Sequence, residues 1–238
     1  MMTLLYRLSV ALFGLSVFAA ANDPANTKSP ELPTDNYSWT ETLSDSLAAS
    51  KLTIQTRGKV DPGGFTSVSM DLGSRTIQGY RYENKAYVSC AQRNWRSEPL
   101  LRNDETPGEF MARLVRGVIP PAIELDLILK NGDKLKKDGE FLSGDLPPGL
   151  TIKFLDQGTR RPAKIKRKDP TGTGSVKIWT KDGAVTRYEI KLRGKVDIDD
   201  KETDIDRTRT IEITDVGTTT VTVPDQARKK FGLGQTLH

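Results

Sequence analysis

The side chains best suited to covalent chemistry are scarce in this chain. Its one histidine, His238, is the last residue, where a fraying terminus offers a catalytic base no support. That removes Ser-His-Asp and Cys-His mechanisms, and with them the usual zinc sites, which need three or four His or Cys ligands. Cys90 is the one cysteine, so an internal disulfide is impossible. Its place in the apolar run Ala86-Tyr87-Val88-Ser89-Cys90 reads as a buried, inert thiol. Gly172-x-Gly174 opens a strand pattern and not a helix, so it is no phosphate cradle. Carboxylates remain. Asp197, Asp199, Asp200, Glu202, Asp204 and Asp206 crowd what reads as one inter-strand loop, yet lack the glycine and distal glutamate of a calcium loop. A solvated loop accounts for them. A hydrolase working through paired carboxylates stays open as an alternative, with no positive signal behind it. No catalytic residue, metal site or cofactor is expected.

The sharpest charge feature is Arg160-Arg161-Pro162-Ala163-Lys164-Ile165-Lys166-Arg167-Lys168. Its cations alternate, as lysines do where they guard a sheet edge against pairing. Arg57, Arg160, Arg161, Lys164, Lys166, Arg167 and Lys168 are also the candidates for meeting an anionic headgroup or an acidic envelope partner. Basic residues interleaved with aromatics are lacking, which argues against nucleic acid.

The segments that must position these residues begin with a leader. Arg7 precedes an uncharged stretch from Leu8 ending in Ala19-Ala20-Ala21, the pattern of a secretory signal peptide cut near Ala21. The stretch falls short of the ~20 apolar residues of a membrane span, and no cysteine marks a lipid attachment point. A periplasmic or secreted product is expected, with no transmembrane span in the mature chain. Losing Arg7 lowers the formal net charge from +5 to +4, a mild excess that solubility explains as well as acidic partners do.

Residues 22–36 carry Pro24, Pro30 and Pro33 among polar neighbours and read as a disordered linker. A single domain over 37–232 and a tail over 233–238 follow. Ser38 and Glu41 have capping-box spacing and Trp39, Leu43 and Leu47 recur every fourth residue, which predicts a helix. Leu52 and Ile54, then Thr66, Val68, Met70 and Leu72, then Thr76–Glu83 and Lys85–Cys90 alternate with turns between them, an antiparallel meander. Thr106-Pro107-Gly108-Glu109 opens a helix bearing Phe110, Leu114 and Val118 on one face. Pro120-Pro121 starts a second, through Ile123, Leu127 and Ile128 to Asn131-Gly132, and Leu150–Leu155 suits a short third. Period two returns from Ala163. Val176 and Ile178 lead to the hairpin turn Lys181-Asp182-Gly183, then Tyr188, Ile190 and Leu192 alternate with charge, so one sheet face is dry and the other wet. Ile205–Thr214 and Thr218–Val223 add strands, and Pro224–Phe231 closes as a helix stopped by Gly232. Arg57-Gly58-Lys59-Val60-Asp61 recurs as Arg193-Gly194-Lys195-Val196-Asp197, two strand ends of one kind.

The fold class is α+β and mainly antiparallel β: a curved sheet or half-open β-barrel with helices over its concave face. In this order of elements, and in Gly58-Lys59-Val60, Lys85-Ala86-Tyr87-Val88 with Trp95, and Ile178-Trp179-Thr180-Lys181-Asp182-Gly183 leading into Tyr188-Glu189-Ile190, the chain resembles the LolA-like superfamily of periplasmic lipoprotein carriers and LppX-type lipid-binding proteins. The resemblance implies a half-open barrel with an apolar cavity for acyl chains of a lipid or lipoprotein. Leu52, Ile54, Val68, Met70, Phe110, Leu114, Ile178 and Ile190 are the candidates for the cavity wall, and Arg57 the candidate for the carriers' functional arginine. A structural or protein-interaction domain with a filled core is the rival expectation.

Overall fold

The computed structural model describes residues 29–33, 36–45, 52–72, 75–89, 106–131, 135–155, 171–198 and 201–233. The leader, Cys90, Trp95 and the basic segment 160–168 lie outside them. Ten strands among the described residues form one sheet: β1 (Tyr37–Asp45), β2 (Leu52–Val60), β3 (Phe65–Leu72), β4 (Arg75–Tyr82), β5 (Lys85–Ser89), β6 (Lys136–Asp138), β7 (Phe141–Asp145), β8 (Thr171–Lys181), β9 (Ala184–Ile198) and β10 (Lys201–Thr214). Four helices join them: α1 (Pro107–Gly117), α2 (Pro121–Asn131), α3 (Pro148–Leu155) and α4 (Asp225–Phe231). The strand order is β5-β4-β3-β2-β1-β10-β9-β8-β7-β6, and every neighbouring pair is antiparallel. The chain therefore winds outward from β1 to one edge, crosses on α1 and α2 to the other, and winds back until β10 closes on β1. β5 and β6 remain the two edges, so the curved sheet is open.

The inner face carries two apolar clusters. Tyr37, Trp39, Leu125, Ile128, Phe154, Leu155, Ile178, Tyr188, Ile190 and Leu192 belong to the larger, under α2 and α3. Val68, Met70, Ile77, Phe110, Met111 and Val115 form the smaller, under α1, and Val118 touches both. α1 starts on the expected cap: the Thr106 hydroxyl accepts from the Glu109 amide, and the Glu109 carboxylate accepts from the Thr106 amide at 2.9 Å.

Three expectations fail. The segment from Ser38 is β1 and not a helix. A four-residue apolar spacing also fits period two, and in β1 the inward phase is Tyr37, Trp39, Glu41, Leu43 and Asp45. The two acids disguise the alternation. Thr218–Val223 is no strand. After the turn at 216–218 the chain runs as a strap over the outer side of β1, where Ser38 Oγ and Thr219 Oγ1 lie 3.0 Å apart and Asn36 Nδ2 donates to Thr219 O. The acids from Asp197 onward are not one loop. β9 runs to Ile198 and β10 starts at Lys201, with Asp206 paired to Arg193 and Glu202 to Lys195. Within the stretch read as unstructured, Glu31 bridges to Ala184, Leu32 packs on the larger cluster and Pro33 is buried. The hairpin β6–β7 had no counterpart in the sequence reading.

The outer face is not wholly wet either. α4 docks there, with Phe231 beside Phe65 and Tyr82 and the Lys85 ammonium donating to Phe231 O at 2.7 Å.

The recurrent pentapeptide has a structural meaning. It lies on β2 and β9, the strands flanking the central β1–β10 pair, and both glycines face inward. A Cβ on Gly58 would fall 2.0 Å from the Trp39 ring, and one on Gly194 would meet Thr171 O at 2.4 Å and the Leu155 side chain of α3 at 2.9 Å. Gly58→Ala and Gly194→Ala should each cost about 1–3 kcal/mol by overpacking. Gly108→Ala, in open space on α1, should gain about 0.4–1 kcal/mol. Urea unfolding of the three variants checks this; equal midpoints would refute the close seating of Trp39 and α3.

Candidate functional site

The layer between sheet and helices is the candidate site. It is apolar in the main, but polar side chains of the inner face fasten the helices above it. Arg81, on β4, donates from Nη1 to Val118 O at the C-terminus of α1, 2.9 Å away, where the helix dipole favours a cation. Tyr37, on β1, accepts from the Ala122 amide in the first turn of α2 at 3.1 Å, satisfying a donor that has no partner inside the helix.

A buried charge network lies beneath α2. Arg209 of β10 pairs through Nε with Glu41 of β1 at 2.7 Å and through Nη1 with Glu124 of α2, and the Tyr188 hydroxyl donates to Glu124 at 2.6 Å. Glu124 is fully buried. Such a charge persists only because its partners replace the water it has lost. Farther along β10, Arg207 donates from Nε and Nη2 to Asp45 Oδ2 at 2.9 and 2.7 Å. Its Nη1 lies 3.4 and 3.5 Å from the carbonyls of Phe154 and Leu155 that end α3. Asp45 Oδ1 is buried without a hydrogen bond among the described residues.

Burial pushes the Tyr188 hydroxyl well above its ordinary 10.0, and the neighbouring Glu124 charge adds to the effect. Burial also lifts Tyr37 to about 12, against the opposing Ala122 hydrogen bond. For Arg209, burial pulls downward, but Glu124 and Glu41 outweigh it and hold the guanidinium well above its ordinary value. The tyrosine shifts set a sign. Above pH 10 an unfolded chain releases phenolic protons that the folded chain keeps, so stability must fall as pH rises. Two such tyrosines give a slope of up to about 2.7 kcal/mol per pH unit between pH 10 and 12. Urea midpoints at pH 9, 10 and 11 test it; a flat profile for these two groups, judged against Tyr37→Phe and Tyr188→Phe, would contradict their burial as phenols.

The residues singled out in the sequence divide. Val68, Met70 and Phe110 meet in the smaller cluster with Leu114 at its margin, while Ile178 and Ile190 belong to the larger. Ile54 faces inward, half-buried; Leu52 is in β2, its side chain outside the described residues. Arg57 does not serve the inner layer. It sits within β2 rather than at its end, on the outer face, paired to Asp71 at 3.0 Å. Among the described side chains, Arg81, Arg207 and Arg209 are cations that face inward instead. One signal could have found two of them: in Ile205-x-Arg207-x-Arg209-x-Ile211-x-Ile213 the arginines occupy the apolar phase of the strand. Among the described residues no three His, Cys, Asp or Glu side chains are grouped to hold a metal, and no helix is long and apolar enough to cross a membrane.

No protein-family model and no curated protein matches the sequence. Among solved structures, two crystal structures show a distant similarity to the chain. One is a protein with unknown function from the DUF3598 family of Nostoc punctiforme, at 12% identity and TM-score 0.24, over 74% of this chain and 46% of that one. The chain thus spans about half that protein's length. The other is a LolA superfamily protein from Nitrosomonas europaea, at 8% identity and TM-score 0.29, over 82% of this chain and 90% of that one. The architecture of the chain is read from its own strand order.

Proposed function

We propose that this chain is a non-catalytic carrier module of the cell envelope, exported by its leader, that shelters the acyl chain of a lipid or lipidated protein between sheet and helices. The observation behind this reading is the polar fastening of α1, α2 and α3 over two apolar clusters that Val118 bridges. Breaking one buried pair costs about 3–5 kcal/mol. A dozen methylenes moved out of water contribute roughly 10 kcal/mol before ordering costs, enough to offset the release of a helix. The reaction is transfer alone, with no bond made or broken.

A second reading, a structural or protein-interaction domain, is favoured by the seating of the helices. Val68, Phe110, Ile178 and Ile190 are at most 3% exposed, and a Cβ on Gly79 would lie 2.6 Å from Val115 of α1. Native mass spectrometry and lipid extraction after purification from an envelope fraction separate the two. The carrier is expected with co-purifying acyl species and saturable uptake of a fluorescent fatty acid. A clean apo mass with no such uptake would leave the filled-core domain.

A further inference from the structure

A second depression lies on the opposite face of the sheet and has other chemistry. It measures about 460 Å³, within the range of ligand sites, and runs along β3 on the outer side of β1–β4. Its shape follows from register. Ser67 and Ser69 of β3 form the floor. Opposite Ser67 stand Tyr80 on β4 and Lys59 on β2; opposite Ser69 stand Gln78 and Arg57. Two short hydroxyl side chains between rows of long ones make a trough about 10 Å wide, because each strand spacing is about 4.8 Å. Past the Arg57–Lys59 row the depression continues over Ser38 and Thr40 of β1 to Thr214 and Asp215. One end meets the aromatic group of Phe65, Tyr82 and Phe231 under α4. At the other, Asp71 holds Arg57. Asp215 stands on the rim at the end of β10, its carboxylate accepting from the Thr214 hydroxyl at 3.2 Å.

We propose that this trough binds a short carbohydrate chain. Hydroxyl, amide, guanidinium and carboxylate groups along one channel supply the paired donors and acceptors that vicinal diols require. Tyr80 adds an aromatic wall with a polar tip, suited to a sugar ring that is apolar on its faces and polar at its edge. An acyl chain would strand these polar groups. A bare anion would meet Asp215 on the rim and find the Arg57 charge already shared with Asp71. Lys59 makes no ion pair among the described residues, so its ammonium is available as a donor. The site is independent of the carrier reading, since the whole sheet separates the trough from the layer beneath the helices.

The test is a titration of the full chain, by NMR and calorimetry, with maltotetraose, chitotetraose, tetragalacturonate and inorganic phosphate. At least one saccharide should bind saturably at millimolar concentration or below, shifting the amides of Ser67 and Ser69. Ser69→Leu, which fills the floor, and Lys59→Ala should each weaken binding tenfold or more while circular dichroism and melting stay unchanged; Thr210→Leu, elsewhere on the outer face, should not. Failure of all three saccharides, binding indifferent to both trough variants, or phosphate alone reproducing the shifts would overturn the proposal.

Discussion

Arg209→Met should destabilise the protein by about 3–5 kcal/mol at pH 7, among the largest losses any single substitution here can cause. The size follows from what stays behind. Glu124, fully buried, has no solvent to replace the lost cation, and Glu41, with 13% of its side chain exposed, has little. Two carboxylates would then share a low-dielectric site with a single Tyr188 hydroxyl between them and water. The paired substitution decides whether charge or packing is responsible. Arg209→Met with Glu124→Leu removes the cation and the fully buried carboxylate but leaves Glu41 without its cation, so it should recover part of the loss. About 1–3 kcal/mol of the remainder is due to the stranded Tyr188 hydroxyl, which Tyr188→Phe then restores. The coupling read from this cycle should be favourable and larger than about 1 kcal/mol. Urea midpoints of the four proteins give the answer directly. A single-variant cost below about 1 kcal/mol would mean that the network does not fasten α2.

That network also marks where sequence reading stopped. Strands β2 to β5, β8 and β9, the capped start of α1, α2, the short α3 and the closing α4 with Gly232 in the left-handed region were all legible, since each is declared by local period or by a terminal residue type. β1 was not. Its inward acids find their partners, Arg207 and Arg209, more than 160 residues away, and no local pattern announces a pair of that separation. Read alone, Glu41 is a capping-box residue; read with β10, it is half of a buried ion pair. The same long-range pairing hid the site. Apolar residues under the helices were recoverable from periodicity, but the side chains that fasten the helices are polar residues in an apolar phase, which hydropathy discounts. Glycine misled in a different way. It punctuates turns at Gly64 and Gly183, where φ is positive, but at Gly58 and Gly194 it sits inside strands because a tryptophan ring and a helix come too close for any Cβ.

Arg207→Met should match Arg209→Met in overall cost, about 3–5 kcal/mol, but differ in where the structure loosens. Asp45 is 2% exposed and meets the Arg207 guanidinium through one oxygen, its other oxygen having no hydrogen-bond partner among the described residues. Asp45→Ala should also destabilise, because it removes the carboxylate oxygen that accepts from both Nε and Nη2 of Arg207. The third contact of Arg207 sets it apart. Its Nη1 reaches the last carbonyls of α3 at 3.4 and 3.5 Å, each a weak bond singly. α3 has eight residues, too few to be helical unaided, so its place depends on Phe154, Leu155 and this anchor. Replacing both partners, Arg207→Met with Asp45→Leu, should restore most of the global stability, because two buried charges vanish together. Amide exchange in Thr151–Leu155 should nevertheless stay faster than in the parent, because the carbonyl anchor is gone while the rest of the fold is sound. In the carrier reading this double variant also takes up a fluorescent fatty acid faster, since one helix lifts more readily at unchanged overall stability. Parent-like exchange in α3 would reduce Arg207 to a buried counter-ion for Asp45, and would remove α3 from the set of helices that polar contacts hold in place.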